Sequence, residues 1–342
     1  MQDQELRFRF TGTGSEYFRI WIVNLVLTLL TLGIYSAWAK VRRVQYFYRN
    51  TQLNESGFDY HGSAIAILKG RLIAIALFAA YSITFRLNPL LGLVIGLFIA
   101  LIMPYLLVTS FRFRLYNSSY RGLRFCFAGS VKSAYYAFLA LPIFTVLTLY
   151  LLAPFTHQRI KAYQHNNSRF GQSKFSFNAG TGGFYKIYII SFLQLLLIVG
   201  LFGFGVYSVL KDIAKSMPKQ ELVGFIVIAY LLLILASLLI VPYFVSRIQN
   251  LIWNHTALGE HRLNSTLSVP GLAWVIFSNF IFIVITLGLF KPFADIRLAR
   301  YRIEHLALLP AGNLDDFIAS EQQQTNAAGM ETAEIFDIDI GF

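Results

Sequence analysis

Several runs of about twenty residues carry almost no charge, and this narrows the folds open to the chain more than any other feature. Tyr17–Ala37, Ile67–Leu87, Leu90–Ser110, Ala134–Ala153, Lys186–Ser208, Leu222–Val245 and Leu272–Lys291 are rich in Leu, Ile, Val and Phe. A helix needs ~20 apolar residues to cross a hydrocarbon core of about 30 Å. Inside that core every backbone polar group has to be paired within the protein. Charged residues make up 13% of the chain and mean hydropathy is +0.57, where a soluble domain carries about 25% charged residues. The runs predict an all-α polytopic membrane protein with about seven transmembrane helices. In the second run Lys69 and Arg71 must snorkel to the interface. Arg86-Leu87-Asn88-Pro89 reads as a turn, and Lys211–Glu221 as a polar turn.

Short motifs recur between these runs. An aromatic-x-aromatic segment followed by Gly is found at Phe8–Gly12, Phe58–Gly62, Phe125–Gly129 and Phe175–Gly180, with a degraded copy at Leu263-Asn264-Ser265. Such alternation predicts short strand-like turns. A second motif follows the apolar runs. An aromatic residue (Trp38, Phe155, Tyr243 or Phe293) has Arg four positions later, at Arg42, Arg159, Arg247 and Arg297. Three copies add Tyr after another four, at Tyr46, Tyr163 and Tyr301. The copy at Tyr105 departs and carries Arg112. Thr31–Arg42 and Thr286–Arg297 match in Thr, Leu, Gly, Ala and Arg. The expected organisation is a membrane domain over 1–309, in units of about 8–57, 58–124, 125–174, 175–262 and 263–309. An acidic tail over 310–342 is expected to be disordered, its alternating end from Glu334 offering a strand.

If each single run crosses the membrane, the second half of the chain is inverted relative to the first, a plan recurrent in transporters. Lys and Arg are more numerous on the side reached after the first run, which the positive-inside rule makes cytoplasmic, together with the C-terminus. The alternative reading turns the single runs into re-entrant hairpins and leaves every basic segment on one side.

Phe8-Arg-Phe-Thr-Gly-Thr-Gly-Ser-Glu-Tyr-Phe and Thr31-Leu-Gly-Ile-Tyr-Ser-Ala-Trp-Ala-Lys-Val-Arg-Arg resemble the YjgN-like family of bacterial inner-membrane proteins. The resemblance runs over most of residues 5–308. It implies an inner-membrane location and a polytopic architecture, and no activity.

The residues suggest no catalytic, cofactor or metal site. None of the six histidines shows His-x3-His or His-Glu-x-x-His spacing, and Cys126 is the single cysteine. Neither a Gly-x-Ser-x-Gly elbow nor a phosphate-binding Gly-x-x-x-x-Gly-Lys loop occurs. The net charge of +12 sits at helix ends, which points to orientation and headgroup contact rather than nucleic acid. Candidate anionic-headgroup or interface residues are Trp38, Arg42, Tyr46, Phe155, Arg159, Tyr163, Arg247, Phe293, Arg297 and Tyr301. Asn24, Gln194 and Asn279 are candidate polar residues within the membrane. The expectation is a non-enzymatic protein whose partners are membrane lipids. It is read first as a transporter or channel-like protein for a small solute or lipid, and alternatively as a lipid-binding or envelope-organising scaffold.

Overall fold

Each aromatic-x-aromatic segment forms a strand, and these strands assemble into one closed ring. The computed structural model describes residues 5–213, 218–237 and 239–335. The first unit consists of β1 (Leu6–Arg7), β2 (Arg9–Phe10), α1 (Gly14–Leu30), α2 (Ser36–Arg49) and β3 (Thr51–Leu53). The second has β4 (Ser56–Tyr60), α3 (Ala64–Leu87), α4 (Pro89–Tyr116) and β5 (Ser118–Tyr120). In the third, β6 (Leu123–Phe127) leads to α5 (Val131–Tyr135), a π-helical turn (Tyr136–Ala140), α6 (Leu141–Leu147), α7 (Ala153–Asn166) and β7 (Ser168–Phe170). The fourth contains β8 (Ser173–Phe177), α8 (Thr181–Ile213), α9 (Lys219–Ser237), α10 (Ile240–Asn254) and β9 (Thr256–Leu258). The fifth contains β10 (His261–Ser265), α11 (Val269–Ile285), α12 (Lys291–Glu304) and β11 (Leu306–Leu309), and α13 (Leu314–Ile335) follows it.

Neighbouring strands pair antiparallel in sequence order from β2 to β11. β11 then returns to β1, with Leu6 opposite Leu308, so the interrupted N-terminal strand β1–β2 closes the ring. Closure leaves no free sheet edge, which compensates for strands of only two to five residues. Two-residue hairpins join successive units at one end of the ring, through Asn54-Glu55, Arg121-Gly122, Gly171-Gln172 and Gly259-Glu260. Each has a positive φ at one or both central residues, which matches the twist of the flanking strands. All helical excursions therefore leave from the opposite end and return to it. The helices close as well, because α12 of the last unit packs on α1 of the first.

This architecture overturns the all-α, seven-span expectation and its inverted halves. Strands from all five units share one sheet, so no unit faces the opposite side of a membrane. Among the described residues, three helices are long and apolar enough to cross a bilayer: Ala64–Leu87, Pro89–Tyr116 and Thr181–Lys211. The single runs of the first, third and fifth units fold back instead. Their tips are Thr31-Leu32-Gly33, Thr148-Leu149-Tyr150 and Thr286-Leu287-Gly288. At each tip the Thr hydroxyl donates to the carbonyl four residues back, and the same oxygen accepts a backbone N–H four residues ahead. Gly33, Tyr150 and Gly288 donate back to Thr28, Thr145 and Ile283 at 2.8 Å. The turns are thus internally satisfied, as lipid requires, and their leucines are bare: Leu32 is 94%, Leu149 86% and Leu287 95% exposed.

Five recurring bonds hold helix to ring. The residue after each outgoing strand donates its N–H to the carbonyl that ends the returning helix: Thr11 to Asn50, His61 to Asn117, Ala128 to Asn167, Asn178 to His255 and Thr266 to His305. The side chains of these five helix-ending residues in turn bond the carbonyl four residues earlier, at 2.7–2.9 Å. His255 and His305 are therefore helix caps.

The core at the hairpin end is made of Leu53, Tyr120, Leu123, Phe170, Leu263 and Leu308, and α13 completes it with Leu314 and Ile318. A disordered tail was expected here. Its seven acids conceal an apolar stripe, Leu314, Phe317 and Ile318, which seats on the ring mouth. Parts of the expected polar turn before Glu221 and of the alternating stretch after Glu334 lie outside the described residues.

Candidate functional site

The first aromatic of each motif points into the ring. Phe8, Phe58, Phe125 and Phe175 form a collar with successive centroids 6.2, 6.4 and 6.4 Å apart and planes within 24°. Leu263 holds the fifth place, packed in the core beside them. The second aromatic, two residues on, is buried against the helices, as in Phe10, Tyr60, Phe127 and Phe177.

The collar bounds a lumen of about 570 Å3. Arg114, Lys161, Gln164, His165, Ser118, Ser168 and Trp253 also line it, and no Asp or Glu does. Lys161, Gln164 and His165 lie on one face of α7, at i, i+3 and i+4. Lys161 Nζ donates to Gln164 Oε1 at 3.3 Å. Burial, and then the neighbouring Arg114, lower its pKa. His165 Nδ1 shares a 3.2 Å bond with Thr256 Oγ1, and its ring meets Trp253 edge-on at 5.5 Å. Burial, helped by Lys161, pushes His165 down to about 4.

A second cavity, of about 800 Å3, opens between α2, α3 and α4. Lys40, Arg71 and Arg114 line it together with Leu77, Phe78, Met103 and Leu106, again without an acid. From Ala66 to Tyr81 it follows fifteen steps of α3, about 22 Å. Arg71 is held by Ser36 at the start of α2. Arg114 lines both cavities.

The tyrosines of the aromatic–Arg–Tyr motif have internal partners. Tyr46 donates to the Thr13 carbonyl at 3.0 Å, Tyr163 to Ser130 at 3.0 Å and Tyr301 to Ser268 at 3.4 Å. Thr13, Ser130 and Ser268 cap the outgoing helices of the same units. Each tyrosine therefore ties the returning helix to the start of the outgoing one. Glycine is needed beside all three hydroxyls: a Cβ on Gly12 would lie 3.1 Å from Tyr46 Oη and one on Gly129 2.6 Å from Tyr163 Oη, and one on Gly271 would overlap Tyr301 Oη.

The arginines differ from one another. Arg42 lies 5.7 Å over Tyr35, Arg159 5.0 Å over Phe155 and Arg247 5.8 Å over Tyr243. Trp38 stacks on Tyr35 at 6.1 Å, and Phe293 on Phe290 at 5.4 Å. Arg297 turns inward and donates to Asn279 Oδ1 at 2.8 Å and Ser278 Oγ at 3.0 Å. Asn279 Nδ2 also donates to the Ala294 carbonyl at 3.1 Å, so this polar candidate pins one hairpin together. Asn24 holds the matching place, seven residues before its tip threonine. It is buried, and its Oδ1 has no hydrogen-bond partner. Gln194 lies on α8 in another unit, its Oε1 also buried and unpartnered. These contacts stay within single units.

Sequence reading missed the lumen cations and the groove. Arg112 marks the departing copy of the motif, and Arg114, two residues on, is the residue common to both cavities. The spacing Lys161-x-x-Gln164-His165 was the available signal for the lumen face.

A family model described as "Bacterial protein of unknown function (DUF898)" matches residues 5–335. The inner membrane protein YjgN of Salmonella typhimurium is 26% identical over 352 residues, covering 90% of this chain and 88% of the relative. The proteins of that name from Escherichia coli O157:H7 and strain K12 are each 24% identical over 366 residues, covering 92% of both chains. No solved structure matches.

Proposed function

This chain belongs to the bacterial DUF898 family, whose relatives are named inner membrane proteins, and we propose that it is a non-enzymatic scaffold that binds anionic lipid. The observation carrying this reading is the α2–α3–α4 groove. It joins an apolar wall from Ile73 to Tyr81 of α3, about 12 Å long, to Lys40, Arg71 and Arg114, with no acid among its described lining residues. A phospholipid has that shape and that charge: acyl chains along Leu77, Phe78 and Met103, and an anionic headgroup at the cations. Arginine and lysine at a helix end are suited to this depth, because their stems lie along apolar wall while the charge reaches the interface.

The ring lies on the cytoplasmic side of the membrane in this reading. The second and fourth units cross it, and the other three insert hairpins part-way. In each of these three, Arg follows the tip threonine by eleven residues: Thr31 to Arg42, Thr148 to Arg159 and Thr286 to Arg297. The first five of these steps run through the turn, and the six helical steps that remain, from Ser36, Ala153 or Lys291, are about 9 Å, well under a 30 Å core. In this reading Arg42 and Arg159 lie near headgroup depth and the tips end within the leaflet they enter, while Arg297 is held inside its own unit by Asn279 and Ser278. The transporter or channel reading drew its main support from inverted halves, so the scaffold reading replaces it here.

The test is native mass spectrometry of the full chain, extracted from membranes holding both phosphatidylglycerol and phosphatidylethanolamine. Wild type is expected to retain phosphatidylglycerol, and the Lys40→Gln/Arg71→Gln double variant to lose it by tenfold or more. Equal retention of the two lipids, or retention unchanged in the double variant, counts against the proposal.

A further inference from the structure

The lumen of the ring is a separate chamber, with a different lining from the groove except at Arg114. Its volume of about 570 Å3 lies within the range of ordinary small-ligand sites. Its walls are unlike on two sides: stacked phenyl rings at one level, and Arg114 with Lys161, Gln164 and His165 at the other. The cations are uncompensated. Lys161 has the amide of Gln164 as its hydrogen-bond partner, and among the described residues no carboxylate lines the space. The nearby acids of α13 are committed elsewhere. Glu321 accepts from the Gln172 and Ser173 amides and from Ser173 Oγ, and Asp315 pairs with Arg121 at the rim. Lys161 is half-buried and Arg114 exposed, so both keep their charge in a space without a counter-ion among its described lining residues, and an anion is their natural complement.

We infer that the lumen binds an amphiphilic anion, its carboxylate or phosphate head against Lys161 and Arg114 and its apolar body against the Phe8–Phe58–Phe125–Phe175 collar. Two sources share this chemistry. A membrane lipid has access at Arg114, the wall common to lumen and groove. A free fatty acid has access from the hairpin end, past α13, whose Leu314, Phe317 and Ile318 cover that mouth.

The experiment uses the full chain in phosphatidylcholine nanodiscs and two photoactivatable probes. One is a diazirine-bearing palmitate added from solution, and the other a diazirine-bearing phosphatidylglycerol built into the disc. Labelled peptides are mapped by mass spectrometry. The inference expects one of the probes to label the segments carrying Phe125, Phe175 and Trp253, and the probe that does so names the source. Lys161→Gln should lower that labelling about tenfold, as expected for one charge-assisted hydrogen bond, and Lys161→Arg should restore it. Groove labelling around Phe78 and Met103 should be unmoved by Lys161→Gln and reduced by Lys40→Gln/Arg71→Gln, which separates this site from the one proposed above. Absence of lumen labelling by both probes would overturn the inference, as would labelling indifferent to Lys161→Gln.

Discussion

Replacing Glu321 by Ala should loosen α13 from the ring without releasing its first turns. The carboxylate is 4% exposed. It accepts the Gln172 N–H at 2.6 Å, the Ser173 N–H at 3.1 Å and Ser173 Oγ at 2.7 Å. Successive amides of a tight turn form a concavity suited to an anion, and Gly171 is needed because a side chain there would meet the carboxylate. A hydrogen bond to a charged acceptor is worth about 1.5–3 kcal/mol. The three share one carboxylate, so we take about 3 kcal/mol for the set rather than their sum, or roughly 100-fold in the docking equilibrium. Burial of Leu314 and Ile318, about 1.5–3 kcal/mol each, continues to hold the start of the helix. Hydrogen exchange read by mass spectrometry should then show the Gln172 and Ser173 amides exchanging about 100-fold faster, while the amides around Phe317 stay protected. Glu321→Gln, which keeps one acceptor oxygen, should fall between. Asp316→Ala, at an exposed position of the same helix, is the control. Unchanged protection at Gln172 and Ser173, or an equal effect of Asp316→Ala, would refute the reasoning.

Single cysteines at Glu55, Gly122, Gln172 and Glu260, in a Cys126→Ser background, should all react with an impermeant maleimide from the same membrane face; reaction from two faces would contradict the single ring. Gly129→Ala places a Cβ against Phe127 and the Tyr163 hydroxyl and should destabilise by about 1–3 kcal/mol. Gly180→Ala meets nothing within 4 Å and should leave the melting temperature nearly unchanged in the same detergent. His165 titrates at about 4 in the fold, against about 6.5 unfolded. The unfolded chain thus binds the proton first, and stability should fall as pH drops from 6.5 towards 4, by up to about 3 kcal/mol. His165→Gln should flatten that part of the thermal-stability profile, and an unaltered slope would show that other groups govern it.

The membrane character and the boundaries between strands were legible, but the way the strands assemble was not. Phe8-x-Phe10 and its kin alternate over too few residues to announce a sheet, and their partners lie up to some eighty residues away within a unit, as Phe175 does from Leu258. The hairpin turns are also disguised, since Asn54-Glu55 and Arg121-Gly122 adopt positive φ with little of the usual Asn-Gly chemistry. The matching places of Asn24 and Asn279 follow from counting back from Thr31 and Thr286. What each does is not visible there, because Arg297 reaches Asn279 while Arg42 lies over Tyr35. The third fold-back lacks the Thr-Leu-Gly match of the other two because Tyr150, at φ 66°, stands where they have glycine. The stripe on α13 was hidden by its acids, two of which turn out to be its attachments to the ring.

An antiparallel ring imposes a parity rule that the length of an apolar run does not reveal. The two strands paired within a unit open to the helices at the same end, so a chain that leaves there has to return there. An even number of crossings satisfies the rule, and the second unit does so with α3 and α4. The fourth sends α8 out and brings α9 and α10 back. One run of seventeen residues, as in α1 or α11, is too short to cross and come back. It complies only by turning inside the bilayer. A turn in lipid is tolerable only if its backbone is satisfied internally, which is what Thr31, Thr148 and Thr286 accomplish with one hydroxyl each. The recurrence of Thr-Leu with Arg eleven residues on is therefore a consequence of ring closure. The threonine satisfies the turn, the leucine at its tip is bare, and in the proposed arrangement Arg42 and Arg159 lie nearer the headgroups.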